Sequence, residues 1–204
     1  MVTFSVPLKG KEGEGEIFSF SVSQRSVLLA GSRYLEVEEQ VCRQLIQQIH
    51  DQGFKFFVGC ADGVDRSFRK ALAQNYFKKQ TFVACAFSRR THYPYSYGLD
   101  ALVVVPKGLP PKAALRRRTL WMVKRCSMVV LFPENPHDHT WGKGSKLVFN
   151  SAMYHLKPVF VVSSIPPKSS IHYRIFKTNL FGVVEGYWTV PHPFEDGGMC
   201  DDEY

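Results

Sequence analysis

The sequence predicts a single α/β domain of Rossmann-like build: a mostly parallel sheet with helices on both faces, plus an N-terminal β-hairpin. Two observations carry this. Val27-Leu28-Leu29-Ala30 is a continuous apolar run that stops at Gly31, and Phe54 to Val58 is another that stops at Gly59. Between them, Val37, Val41, Cys42, Leu45, Ile46 and Ile49 share one face at helical spacing, with Gly53 as a natural stop. Strands that are apolar from end to end are buried on both faces, and their alternation with amphipathic helices marks βαβ units.

The remaining elements follow in chain order. Residues 3–22 hold two strand-like runs around the polar, glycine-rich Lys9 to Gly15, which reads as a hairpin. Val64, Phe68, Ala71 and Leu72 mark a second helix, and Thr81 to Phe87 a third strand. Ser88 to Gly98, rich in Tyr, His and Ser, is a loop, and Leu102 to Val105 a short extra strand. Met128 to Phe132 and Pro158 to Val162 repeat the strand signature, with a helix over Lys146 to Leu156 between them. Phe181 to Val190 is expected to close the sheet as an edge strand. Residues 1–194 form the domain, and 195–204 an acidic tail.

Bulk properties narrow the classes. A chain of 204 residues, 45% hydrophobic and 22% charged, matches one ordinary globular domain. Its opening residues carry Lys9, Lys11, Glu12, Glu14 and Glu16 instead of an apolar signal core, and no apolar stretch nears the roughly 18 residues of a membrane span. Five cysteines, odd in number and without C-x-x-C spacing, suit a reducing compartment, so the expectation is a cytoplasmic protein without membrane association. A formal charge of +8 implies anionic partners without choosing among them.

In open parallel sheets, ligands bind outside the carboxyl ends of the strands, near a reversal of strand order. Three turns fall at such ends: Gly31-Ser32-Arg33, then Gly59-Cys60-Ala61-Asp62-Gly63-Val64-Asp65, then Gly142-Lys143-Gly144-Ser145. Glycine permits positive φ and close backbone approach, and free N–H groups at a helix start cradle anions. Tight strand termination explains any one of these turns alone; three at one end of a sheet favour a site. Neither G-x-G-x-x-G nor a Walker phosphate loop is present.

On the helix predicted over Lys112 to Arg125, Leu115, Thr119, Met122 and Cys126 form the apolar stripe, and Arg117 and Lys124 lie opposite as a solvated face. Arg118 falls about 60° from Leu115, at the stripe's border. A charge there needs a partner: a ligand phosphate, or a structural salt bridge with a residue such as Asp65. His137, Asp138 and His139 lack a further ligand for a tetrahedral set, so no metal or cofactor is expected. Tyr93, Tyr95 and Tyr97 read first as loop anchors, and second as a stack for a base.

The run Val27 to Arg33, the turn Gly59-x-Ala61-x-Gly63-Val64-Asp65 followed by Ala71, and Arg118-x-x-x-Met122 together resemble the SLOG superfamily. That superfamily joins the DNA-processing protein A fold to the Lonely Guy phosphoribohydrolases and to nucleotide-sensing domains. The resemblance runs from about Val27 to Val162. It implies a Rossmann-like fold and a nucleotide site whose phosphate is ringed by both glycine turns and the arginine. Two departures stand out: Cys60 replaces a glycine usual in relatives, and Val148 falls where the hydrolases' P-G-G-x-G-T-x-x-E pattern places its catalytic glutamate.

The ranking that results puts first a sensor or carrier of a nucleotide or ribose-phosphate ligand. An N-glycosidic hydrolase using Asp65 or Glu134 comes second, and a single-stranded DNA-binding protein third. Nucleic acid would need a basic track beyond the pocket with aromatics along it. Arg66, Arg69 and Lys70 on the second helix, with Arg89 and Arg90, offer a start, but a solvated surface explains them as well. Homo-oligomers occur among related folds and are compatible with this chain.

Overall fold

The computed structural model describes residues 2–7, 17–22, 25–74 and 76–192. The expected hairpin turn, and the acidic tail over 195–204, lie outside them. Strands β1 (Val2–Pro7) and β2 (Ile17–Val22) pair antiparallel, from Val2 opposite Val22 to Pro7 opposite Ile17, as a two-stranded sheet of their own.

The main sheet has eight strands. They are β3 (Ser26–Gly31), β4 (Lys55–Gly59), β5 (Thr81–Cys85), β6 (Asp100–Val103), β7 (Met128–Phe132), β8 (Val159–Val161), β9 (Tyr173–Leu180) and β10 (Val184–Pro191). Helices α1 (Glu39–Asp51), α2 (Val64–Ala73), α3 (Pro111–Arg125) and α4 (Lys143–Tyr154) cover it. The strand order is β6-β5-β4-β3-β7-β8-β10-β9, parallel from β6 to β8, with β10 antiparallel to both of its neighbours. The chain steps outward from β3 to β6, and α3 then carries it back to lay β7 against β3. The switch point expected of this architecture therefore lies between β3 and β7.

Alternation along β3 builds both cores. Val27 and Leu29 face α1 and α2, joining Ile46, Ile49, Phe68 and Leu72. Leu28 and Ala30 face α3 and α4, joining Met122, Val123, Phe149 and Ala152. Gly53, at φ +78°, ends α1 as the sequence requires.

Three expectations are corrected. The closing strand β10 is not the edge: β9, unassigned from sequence, pairs outside it over its whole length. Helix α4 begins at Lys143 instead of Lys146, so Gly144 and Ser145 lie in its first turn, with Gly142 as the capping residue. On α3 the buried face is Ala114, Arg118, Thr119, Met122 and Val123, which moves Arg118 from the border into the core.

Candidate functional site

The first two glycine turns meet at the carboxyl ends of β3 and β4, and the third follows β7 at the same edge of the sheet, beside the switch point. Their approach is close enough to require glycine. A Cβ on Gly31 would fall 2.3 Å from the Phe132 carbonyl oxygen, and one on Gly63, at φ +62°, 2.4 Å from the Ser32 carbonyl oxygen. Two backbone bonds lock the turns together: Ser32 N–H donates to the Phe132 carbonyl at 2.9 Å, and Val64 N–H to the Ser32 carbonyl at 3.0 Å. Gly63 caps α2 and Gly142 caps α4, both without a side-chain cap, so both helices direct N-terminal N–H groups at this end of the sheet. Ser32 is buried with its Oγ accepting from Tyr34 N–H at 3.1 Å, while Arg33 and Lys143 are exposed at the rim.

Beneath the second turn lies a buried charge network. The Arg118 guanidinium stands 3.6 Å from the Asp65 carboxylate and 3.5 Å from Cys60 Sγ, and a Cβ on Gly59 would collide with both Asp65 and Arg118. Asp65 also accepts from Ala61 N–H at 3.1 Å. Of the two partners the sequence allowed Arg118, the carboxylate is therefore present. Burial works to lower the Arg118 pKa, but Asp65 and then Cys60 more than offset it, and it stays charged. Its Nε nevertheless has no hydrogen-bond partner.

Arg69 is a correction. It is 1% exposed, not a surface cation, and donates to the Gly59 carbonyl at 2.5 Å and the Tyr95 carbonyl at 2.9 Å. Burial lowers its pKa. Two buried guanidiniums thus face one buried carboxylate. The imbalance favours a thiolate: a hydrogen bond from Cys85 first, and then the Arg118 charge, draw Cys60 down to about 5 against the pull of burial. Cys85 is driven up by the same bond. Parallel register explains the pair, since Gly59 lies opposite Ala84 and the next residues are Cys60 and Cys85.

The third turn carries further unsatisfied donors. Ser145 Oγ and Trp141 Nε1 are buried without hydrogen-bond partners. The Glu134 carboxylate reaches this turn, with Oε2 3.1 Å from where a Gly142 Cβ would stand. Val148 is buried in the α4 core, so no carboxylate occupies that helical position. Trp141 opens the third turn in the sequence, Trp141-Gly142-Lys143-Gly144-Ser145, but nothing in its spacing reveals that its indole N–H is buried.

The secondary motifs are locally occupied. Tyr95 lies under the Arg90 guanidinium at 4.5 Å and its carbonyl anchors Arg69, in keeping with loop anchoring; Tyr93 is exposed. His137 Nδ1 bonds Ser164 Oγ at 2.9 Å, and Asp138 accepts from Thr140. Among the described residues, no helix is long and apolar enough to cross a membrane.

Comparison with solved structures now decides the fold. DNA processing protein A from Helicobacter pylori superposes with a TM-score of 0.53 at 18% identity, over 71% of this chain and 67% of that one. The Streptococcus pneumoniae protein gives 0.53 at 21% identity, over 72% of this chain but only 51% of that one. The chain has the DNA-processing-protein-A fold. The fold implied by the SLOG resemblance is thereby found, and the chain spans about half of its Streptococcus neighbour. No family model and no curated protein matches the sequence.

Proposed function

We propose that the crevice between the ends of β3 and β7 binds a nucleotide or nucleotide-derived ribose-phosphate. The observation that carries this reading is the pair of interlocked glycine turns after β3 and β4, with the N-termini of α2 and α4, neither with a side-chain cap, at the same edge of the sheet. Oriented N–H groups in that arrangement favour a compact anion. The backbone of Gly31, Ser32, Arg33, Gly59, Cys60, Ala61, Gly63 and Asp65 forms one wall, and Gly142, Lys143, Gly144 and Ser145 the other. Lys143 supplies charge from the rim, and the unpaired Ser145 hydroxyl a donor within. Arg118 acts through its neighbours, fixing the second turn with Asp65.

Calorimetry with a panel of nucleoside mono- and diphosphates tests the reading. At least one is expected to bind, and Lys143→Ala to weaken it by about tenfold or more, the order expected of one charge-assisted contact. No binding across the panel overturns the proposal.

A hydrolase of the nucleotide N-glycosidic bond is the second reading, favoured by the position of Glu134 beside the α4 N-terminus. Asp65 is the weaker candidate, because Arg118 and Ala61 already hold its carboxylate. Free base released from a nucleoside monophosphate, and lost in Glu134→Gln, would select this reading over a binding module. The similar Helicobacter pylori protein binds single-stranded DNA; a strand occupying this same crevice would be displaced by nucleotide.

A further inference from the structure

A second feature runs along the amino ends of the strands, at the opposite edge of the sheet from the crevice. An open trough of about 1060 Å³ is lined by Arg25, Lys55, Lys79, Lys124, Arg125 and Lys157, with Asp100 the lone carboxylate in its lining among the described residues. Register explains the row: Ser26 pairs with Lys55, Phe56 with Thr81 and Val27 with Met128, so the starts of successive strands stand side by side. From β6 to β8, six strands about 4.8 Å apart make a track about 24 Å long.

Helix ends account for part of this charge. Lys157 Nζ donates to the carbonyls of Val123, Lys124 and Cys126, closing the C-terminus of α3. The others are not so engaged. Arg25, Lys55, Lys79 and Lys124 are exposed, and none of them forms an ion pair among the described residues. Two half-buried rings, Phe57 and Phe82, line the trough, and Trp121 packs against both from outside the lining. Phe57 and Phe82 have centroids 5.7 Å apart, Phe82 stacks on Trp121 at 5.5 Å, and the Arg125 guanidinium lies 4.1 Å over Trp121.

We propose that this trough is a binding site for single-stranded nucleic acid, with phosphates along the cations and bases against Phe57 and Phe82. An extended row of charge suits a linear polyanion better than a single phosphate, and rings beside it suit unpaired bases. The site is separate from the crevice and does not depend on what binds there.

Fluorescence anisotropy with a labelled 15-mer of thymidylate tests it, in the full chain, with folding followed by circular dichroism. Binding is expected to weaken steeply with salt. Lys55→Glu combined with Lys124→Glu should cost tenfold or more in affinity and flatten the log–log salt slope by about 1.4, the loss of two contacts to a single strand. Phe82→Leu should weaken binding about fivefold or more. Lys143→Ala should leave oligonucleotide binding unchanged, and the trough variants should leave nucleotide binding unchanged. The proposal is overturned by no binding at low salt, or by indifference to the charge reversals. It is equally overturned if duplex or polyglutamate competes as well as the single strand, or if Lys143→Ala is the change that abolishes binding.

Discussion

Arg118 shows how one side chain can be rightly singled out and still sit somewhere unexpected. Its guanidinium faces Asp65 in the interior, so removing it strands a buried carboxylate. Arg118→Ala should therefore cost about 3–5 kcal/mol of folding stability, read from the midpoint of urea unfolding. The double variant Asp65→Leu/Arg118→Met should recover most of that loss, since neither charge remains unpaired. Equal losses in single and double variants would show that the pair contributes nothing. Cys60 gives a pH signature with a definite sign. A group whose folded pKa is depressed stabilises the fold above its unfolded pKa and loses that contribution as pH falls through the folded one. With Cys60 drawn from 9.0 to about 5, stability should rise between pH 5 and 9. Above that range Cys85, shifted the other way, begins to oppose the rise. Cys60→Ser should flatten the climb, as measured by unfolding midpoints across the pH range; an unchanged profile would mean that Cys60 stays a thiol.

At the scale of elements, the decisive joint is the one between β3 and α2. Gly63 holds φ +62° while the Ser32 carbonyl lies where a side chain would begin, and that same carbonyl receives the first N–H of α2. Gly63→Val combines backbone strain with overpacking, a loss of about 2–5 kcal/mol. A lowered melting temperature and abolished nucleotide binding are expected together; a normal melting curve with normal affinity would make this turn an ordinary one. That joint was legible in the sequence because glycine, helical spacing and strand runs are local signals. Strand β9 was not: Arg174, Lys177 and Asn179 turn outward on an exposed edge, and its burial is too shallow to leave an apolar run. Arg69 was hidden for a different reason. It sits off the apolar stripe of α2, and it is held inside by carbonyls of Gly59 and of the Tyr95 loop, which only the fold brings to it. The basic trough was equally invisible, since Arg25, Lys55 and Lys124 become neighbours only once the strand order is known.

For the whole molecule, the eight-stranded sheet separates its two ends. Strand β3 is six residues long, so about 17 Å lies between its first and last residues. That exceeds the screening length of about 10 Å at 0.1 M salt, and substitutions at the two ends should add without coupling. Among the described residues, β1 and β2 pair with each other and not with the main sheet. Both faces of the main sheet are covered by helices from other parts of the chain, and β3 is paired on both sides by β4 and β7. An isolated two-stranded hairpin is marginal by itself in water. Deleting residues 1–24 is therefore expected to change unfolding stability by no more than about 0.5 kcal/mol, the range of surface changes away from buried features. The denaturant slope should fall only slightly, because little surface leaves the cooperative unit. Nucleotide binding should persist, since the residues assigned to the crevice begin at Gly31. A loss of several kcal/mol with the deletion would instead place β1 and β2 within the folding unit.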